Sequence, residues 1–211
     1  TITDGSSTLD NTTFTVAGYT VSGTATGASA NDNQVLISLT ESGSVDTEKT
    51  PNVVLIAGKI SDGTNALASD QTFTGTSDAA APQVSDLAIY DTDFNGLIDK
   101  IIVTFSENVD TDDGSAPVSG DFGTIILPDG QTANLGGASF TDPAGSSSAV
   151  TITGISGQVT DNTAVGSTAV NGITNQWTDG TNVTSNPDDA ETITDAAAPQ
   201  VSDLAIYDTD F

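Results

Sequence analysis

The sequence predicts an all-β protein made of tandem β-sandwich modules with a period of about 117 residues. Short runs rich in valine, isoleucine and threonine alternate with glycine, aspartate and asparagine turn signals, which is the pattern of successive short strands. No apolar pattern with the helical period of 3.6 residues persists for three turns anywhere in the chain. A long segment also occurs twice, which indicates repeated modules.

The repeated segment is DAAAPQVSDLAIYDTDF, which forms residues 78–94 and returns letter for letter as residues 195–211, an offset of 195 − 78 = 117. At the same offset the turn sequence DGTN of residues 62–65 returns as residues 179–182. We therefore predict three parts. Residues 1–77 are a module that lacks its first strands, residues 78–194 are a complete module, and residues 195–211 are the opening strand of a third.

The strands follow from the apolar runs and the turn signals between them. In the first body we predict strands at residues 13–17, 19–23, 34–40 and 52–57, and a closing hairpin that pairs residues 59–60 with residues 71–74. In the second body we predict strands at residues 84–90, 100–106, 149–155, 169–174 and 191–194, and a hairpin of residues 122–127 with 131–135.

Roughly seven short strands in each module indicate an immunoglobulin-like β-sandwich. Several segments resemble bacterial Ig-like domains, namely KIIVTFSENVD at residues 100–110, DFGTI at 121–125, TFTVAGYTVSG at 13–23, SDGTNALAS at 61–69 and the junction DAAAP at 78–82. Such domains are the modules repeated in S-layer proteins, giant surface adhesins and extracellular filaments. The resemblance implies a structural or adhesive role, an extracellular or cell-surface location in a bacterium, and no catalytic residues to carry over.

The nonapeptide DTDFNGLID of residues 91–99 has the ligand spacing of an EF-hand-type calcium loop. Oxygen-bearing side chains occupy positions 1, 3, 5 and 9, a glycine at position 6 permits a sharp turn, and an isoleucine occupies position 8. The predicted calcium ligands are the side chains of Asp91, Asp93, Asn95 and Asp99 and the main-chain carbonyl of Leu97. Asp208 and Asp210 begin the same loop in the third part.

The loop departs from an EF-hand at position 12, where Ile102 stands in place of the bidentate glutamate and a strand replaces the outgoing helix. The missing ligand must come from water or from another residue. The acidic residues nearest in sequence are Glu107, Asp110, Asp112 and Asp113. The alternative is a metal-free turn held by aspartate and asparagine side chains. The five matching positions and Ile98 favour calcium.

The charge balance limits the partners and the chemistry of the chain. It has 29 acidic residues against three lysines, a formal net charge of −26, which repels nucleic acid and anionic membranes and attracts divalent cations. No apolar run reaches the ~18 residues of a membrane span. Because the chain has no histidine and no cysteine, the usual catalytic base and thiol nucleophile are absent, and we predict that it is not an enzyme.

The link between the bodies, residues 77–83, contains no glycine, and Pro82 fixes its own φ while restricting Ala81. We expect neighbouring modules to form a stiff rod. The sequence stops inside the calcium motif, so either it is cut from a continuous polymer, or the C-terminal strand of one copy completes the first body of the next. We favour the first interpretation. In that case, the first body should have an open apolar sheet edge near residues 35–39 or 53–57.

Two functions remain as hypotheses. One is a structural extender in a stalk, sheath, S-layer or filament, whose partners are neighbouring modules of the same polypeptide or identical chains. The other is an adhesin module that binds carbohydrate or another ligand through its loops or Trp177. An extender repeats its junctions, as this chain does, whereas a binder should group exposed aromatic side chains. We expect Trp177, the only tryptophan, in the core, and we favour the extender.

Overall fold

The computed structural model describes residue 2 and residues 7–29, 31–40, 43, 47–127, 130–155, 167–171, 176–184 and 188–196, with 167–171 and 188–195 described at the level of the backbone. The chain divides into two compact units. Unit 1 is Thr1–Val45 with Lys49–Asp78, and unit 2 is Asp46–Glu48 with Ala79–Phe211. Apart from a 3-10 turn at Ser119–Phe122, the regular elements of the described residues are β-strands, which confirms the prediction of an all-β protein.

In its described residues, unit 1 contains five short strands in two antiparallel sheets. The strands are β1 (Phe14–Val16), β2 (Val21–Thr26), β3 (Val35–Leu39), β4 (Val53–Leu55) and β5 (Gln71–Phe73). One sheet has the order β1-β4-β5 and the other is the hairpin β2-β3. Valine, threonine and phenylalanine dominate these strands because β-branched and aromatic side chains fit a pleated, half-buried surface.

The core of unit 1 is small. Its buried apolar side chains expose 7–8% of their surface, and they are Phe14, Val16, Val21 and Leu55. Among the described residues, β3 pairs only with β2, so the open edge expected at residues 35–39 is confirmed. The alternative edge at residues 53–57 was wrong, because β4 lies between β1 and β5.

The part of unit 2 that the structure describes contains eight strands: β6 (Val84–Tyr90), β7 (Lys100–Thr111), β8 (Thr124–Ile125), β9 (Ser139–Phe140), β10 (Ser147–Thr153), β11 (Ser167–Asn171), β12 (Trp177–Thr178) and β13 (Asp188–Asp195). The strand order is β8-β11-β13-β6-β7-β10-β9, and β12 pairs with β7 beside this path. All pairs are antiparallel except β13 with β6, which is parallel.

The sheet of unit 2 closes around one core, as in a β-sandwich. Ile125 of β8 and Ile152 of β10, which lie near opposite ends of the strand order, are both fully buried and belong to the same apolar cluster. Along β7 the inward positions alternate with outward ones from Ile101 to Thr111, as the two-residue period of a strand requires. The two central strands, β6 and β7, therefore carry much of this core.

The strand predictions hold best where local pattern and tertiary pairing agree. The strand at residues 84–90 is confirmed at both ends, whereas β7 continues five residues beyond the predicted residue 106. The predicted closing hairpin of unit 1 was wrong, because β5 pairs with β4. The turn of residues 61–65 instead closes on Ala66 and Leu67, through a bridge between Ser61 and Ala66 and a hydrogen bond from the Leu67 N–H to the Ile60 carbonyl.

Candidate metal centre

The predicted calcium loop connects the two central strands of unit 2. β6 ends at Tyr90 and β7 begins at Lys100. The Asp99 N–H donates to the Tyr90 carbonyl at 3.0 Å, which closes the hairpin. Asp91 therefore follows the last residue of β6, and Asp99 precedes the first residue of β7. The strand pairing brings the two ends of the nonapeptide together.

Three of the predicted side-chain ligands converge in this loop. Asp91, Asp93 and Asp99 each offer a carboxylate oxygen, and these oxygens all lie within 4.8 Å of one another. Asp91 is buried, Asp99 is half-buried and Asp93 is exposed. The group is thus anchored at the base of the hairpin and open to solvent at its tip, which is a geometry that an ion can enter.

The loop is bent around the Asp91 carboxylate. This carboxylate accepts hydrogen bonds from the N–H groups of Asn95 at 3.2 Å and Gly96 at 2.8 Å. Phe94 and Gly96 have positive φ angles of 60° and 83°, and such angles turn successive N–H groups inward. Ile98 is buried in the core of unit 2. The isoleucine at position 8 therefore fixes the returning half of the loop to the sandwich.

The remaining ligand candidates are held by hydrogen bonds within the loop. The Asp99 carboxylate accepts from the N–H of Thr92 at 3.0 Å and from its hydroxyl. The Asn95 amide donates to Asp93 at 2.9 Å, while its oxygen accepts from the Leu97 N–H at 2.8 Å. The predicted ligands Asp208 and Asp210 lie outside the described residues.

The electrostatics of this loop favour a bound cation. Two unit charges at ~4.8 Å repel by roughly 1 to 4 kcal/mol between a water-like and a protein-surface dielectric. The lysine nearest in sequence, Lys100, places its amine 3.8 Å from the centre of the Tyr90 ring. A divalent cation between the carboxylates would replace repulsion by attraction.

The hydrogen bonds of the loop are compatible with both interpretations of the sequence. They are the Asx-type bonds of a metal-free turn. An ionised carboxylate nevertheless has about four lone-pair sites, so an oxygen that accepts one N–H retains a lone pair for a metal. The observation that goes beyond a turn is the convergence of three carboxylates.

Glu107, named from the sequence as one source of the missing ligand, lies elsewhere in unit 2. It occupies an inward, buried position on β7 between Phe105 and Val109. Its carboxylate accepts a hydrogen bond from the Thr47 hydroxyl at 2.7 Å, and one of its oxygens lies within 4.8 Å of an oxygen of Asp179. The strand alternation of residues 101–111 is the sequence signal that could have placed this glutamate inside.

Asp179 belongs to the repeated DGTN turn. Desolvation by partial burial raises the pKa of Asp179, but hydrogen bonds from Asn182 and Thr181 outweigh it and hold this pKa below its ordinary value. The Asp179 carboxylate accepts from the N–H groups of Thr181 at 2.5 Å and Asn182 at 2.6 Å. These bonds lower the pKa because hydrogen bonds to the charged form of a carboxyl group favour that form.

Trp177 is a core residue of unit 2. It is fully buried, its ring centre lies 5.0 Å from that of Phe105 and 5.1 Å from that of Phe122, and its indole N–H donates to the Asp121 carbonyl at 2.8 Å. The expectation of a core role is confirmed. A buried indole cannot serve as an exposed platform for a sugar.

No family model, curated protein or solved structure matches this chain. In the described part of the chain, no helix is long and apolar enough to cross a membrane.

Proposed function

We propose that this chain is a calcium-stabilised structural module of a large extracellular or cell-surface bacterial protein. Its modules are Ig-like sandwiches that act as an extender in a stalk, sheath, S-layer or filament, and they have no catalytic activity. Their partners are neighbouring modules of the same polypeptide or identical chains. The observation that carries the proposal is the convergence of the Asp91, Asp93 and Asp99 carboxylates within 4.8 Å, in a segment that has the ligand spacing of the first nine positions of a calcium loop.

Calcium would be held by the carboxylates of Asp91, Asp93 and Asp99, with the side-chain oxygen of Asn95 and the carbonyl of Leu97 as neutral ligands. Water completes the six to eight oxygens that calcium takes. The ion supplies positive charge at the place where β6 ends and β7 begins. Because these strands are central in the sheet order, a link between them stiffens the sandwich at the start of the repeated module.

The test is calorimetric titration of the protein with calcium, together with thermal unfolding in calcium and in EDTA. Extracellular calcium modules have Kd values of about 10⁻⁴–10⁻³ M. Calcium at 100 times Kd stabilises by about 2.7 kcal/mol, which corresponds to a rise in Tm on the order of 10 °C for a domain of this size. Asp93→Ala should lower the affinity at least tenfold, because it removes one of three converging charges.

The matched control is Asp142→Ala. Asp142 is an exposed aspartate of the same unit whose carboxylate caps a turn by accepting from the Ala144 N–H at 3.0 Å, and it is not one of the converging three. Its loss should leave the calcium affinity unchanged. Identical melting curves in calcium and EDTA for the unaltered protein would refute the proposal.

The second hypothesis, carbohydrate binding, relied on Trp177 as a candidate binding residue. Trp177 is buried and does not support it. Within the described residues, the large aromatic side chains that stand exposed are Phe73 and Phe94, one in each unit. Because no group of exposed aromatic rings among these described residues supports a sugar site, we propose the structural role instead.

A further inference from the structure

The loop between β6 and β7 contains an Asn–Gly peptide bond, which joins Asn95 to Gly96. The side-chain carbonyl carbon of an asparagine, Cγ, is an electrophile, and attack on it by the peptide nitrogen of the next residue closes a succinimide ring. A side chain on that next residue hinders the attack, and glycine has none, so the main chain approaches closely. The loop therefore holds the pair of residues in which this ring closes most readily.

The Asn95 side chain is held close to the peptide group that would attack it. Its carbonyl oxygen accepts a hydrogen bond from the Leu97 N–H at 2.8 Å, which closes an Asx turn around the Gly96 nitrogen between them. The same bond polarises the side-chain carbonyl and donates to the oxygen on which negative charge develops during the attack. The turn thus positions the electrophile and activates it.

The attacking nitrogen has a proton acceptor beside it. The Gly96 N–H donates to the Asp91 carboxylate at 2.8 Å, and Asp91 is buried at the base of the loop. A carboxylate in hydrogen-bond contact with the reacting N–H can take its proton as a general base. The amide nitrogen of the Asn95 side chain, which is the leaving group, donates to the Asp93 carboxylate at 2.9 Å. Both nitrogens of the reaction are therefore hydrogen-bonded to carboxylates.

The loop also leaves room for the ring and for water. Gly96 has a φ angle of 83°, and apart from its chain neighbours no atom lies within 4 Å of the position that a Cβ would occupy there. Asn95 is exposed and Gly96 is half-buried. Water therefore reaches this pair of residues and can hydrolyse a ring formed between them.

The chain has a second Asn–Gly pair, at residues 171–172, where the asparagine has a different setting. Asn171 is the last residue of β11, and it pairs with Thr124 of β8 on one side and with Asp188 of β13 on the other. Pairing on both sides holds the main chain extended, so the strand must open before a ring can close. The same dipeptide therefore offers a comparison within one molecule.

We propose that Asn95 is a site of spontaneous modification, at which the Gly96 nitrogen attacks Asn95 Cγ and ammonia is released. The bond between Gly96 N and Asn95 Cγ forms, the bond between Cγ and Nδ2 breaks, and the Gly96 proton passes through the Asp91 carboxylate to the departing ammonia. Water then opens the succinimide at either carbonyl, which leaves aspartate or isoaspartate at position 95.

The products change the charge of the candidate metal centre. Either one adds a carboxylate to a loop in which three carboxylates already converge. The reaction itself needs water and no metal, so the inference goes beyond the proposed function. Because it is measured in EDTA, its failure is distinguishable from a failure of the calorimetric titration with calcium.

The test incubates the folded full chain in EDTA and heavy-oxygen water, followed by peptide mapping with mass spectrometry. Hydrolysis of the succinimide places heavy oxygen in the product, so newly modified residues are labelled. We expect the label to accumulate at Asn95 at least roughly tenfold faster than at Asn171, because the loop needs no strand opening. In urea, which removes the difference in structure, the two rates should agree within about twofold.

Asp91→Asn tests the proton acceptor, because a carboxamide cannot take the proton. It should slow the labelling of Asn95 by roughly tenfold or more and leave that of Asn171 unchanged. If this variant unfolds, the labelling of Asn171 rises, and the comparison of the two asparagines in the unaltered protein decides.

The matched control is Asp142→Asn, which removes a carboxylate that accepts from the Ala144 N–H outside the loop. It should leave both rates unchanged. Equal labelling of Asn95 and Asn171 in the folded protein, or an unchanged rate at Asn95 in folded Asp91→Asn, would overturn the proposal.

Discussion

At the scale of single residues, aspartate side chains cap several turns in the described part of this acidic chain. In the turn of residues 62–65, the Asp62 carboxylate accepts from the N–H groups of Thr64 at 2.8 Å and Asn65 at 2.7 Å. These bonds hold the pKa of Asp62 below its ordinary value, and the bond from Asn65 has the larger effect. Such hydrogen bonds occur without any converging carboxylates. What distinguishes the loop of residues 91–99 from this turn is therefore the meeting of three carboxylates.

Asp10 gives unit 1 a pH-dependent contact. The Thr12 hydroxyl at 2.6 Å, and then the Lys59 amine at 3.0 Å, lower the pKa of Asp10 to about 2. Because this pKa lies below the unfolded value of ~3.9, the stabilising contribution is fully present above pH ~4 and is lost as the pH falls through 2.

We expect Asp10→Asn to lower the free energy of unfolding at pH 6, and the difference from the unaltered protein to shrink between pH 4 and pH 2. Urea unfolding of the two proteins at a series of pH values measures the difference at pH 6 and its decrease at lower pH. Thr12→Val removes the first cause of the low pKa, so an NMR titration of the Asp10 carboxyl should show that pKa raised. A difference that stays constant down to pH 2 would contradict this account.

At the scale of elements, the loop between β6 and β7 stores backbone strain at one position. Phe94 has a φ angle of 60°, and the left-handed region costs a residue other than glycine roughly 1–2 kcal/mol of conformational free energy. The Phe94 side chain is exposed, so packing does not offset this cost. The cost is tolerated where the loop must aim the N–H groups of Asn95 and Gly96 at the Asp91 carboxylate.

Phe94→Asn should therefore raise the free energy of unfolding by about 0.5–1 kcal/mol, because asparagine tolerates the left-handed region. Phe94→Val should lower it, because a β-branched side chain is a genuine outlier at positive φ. Both variants are measured by urea unfolding in EDTA, which separates strain from metal binding. Equal stabilities for the two variants would show that the strain at Phe94 does not affect folding.

The strands also show how much of the fold the sequence could predict. The apolar run of residues 84–90 is long and flanked by turn signals, and its strand was predicted at both ends. The strands β9 and β12 have two residues each, and they exist because a neighbouring strand offers them partners, which local pattern does not record. In the candidate site the spacing of Asp91, Asp93 and Asp99 predicted their convergence. The alternation of residues 101–111 could have placed Glu107 on the inward face of β7, but its approach to Asp179 depends on tertiary packing that the sequence pattern does not record.

At the scale of the whole molecule, the formal net charge of −26 acts against compaction. Self-repulsion of many like charges destabilises the folded state. Sodium chloride weakens this repulsion, because the Debye length falls to about 8 Å at 0.15 M. The three carboxylates of the loop, within 4.8 Å of one another, lie closer than this length, so salt screens them least.

Salt and calcium should therefore stabilise the protein in two separable ways. Raising sodium chloride from low salt to 0.15 M should raise Tm for the unaltered protein and for Asp93→Ala alike, because it screens the distributed charge. Calcium chloride at the same ionic strength should add a further rise on the order of 10 °C in the unaltered protein, by mass action on the loop. In Asp93→Ala that further rise should fall to a small fraction. Calorimetric scans of both proteins in low salt, in sodium chloride and in calcium chloride at the ionic strength of the sodium chloride sample measure these changes. A rise in Tm with calcium no larger than the rise with sodium would show that the loop is an ordinary acidic turn without a calcium site.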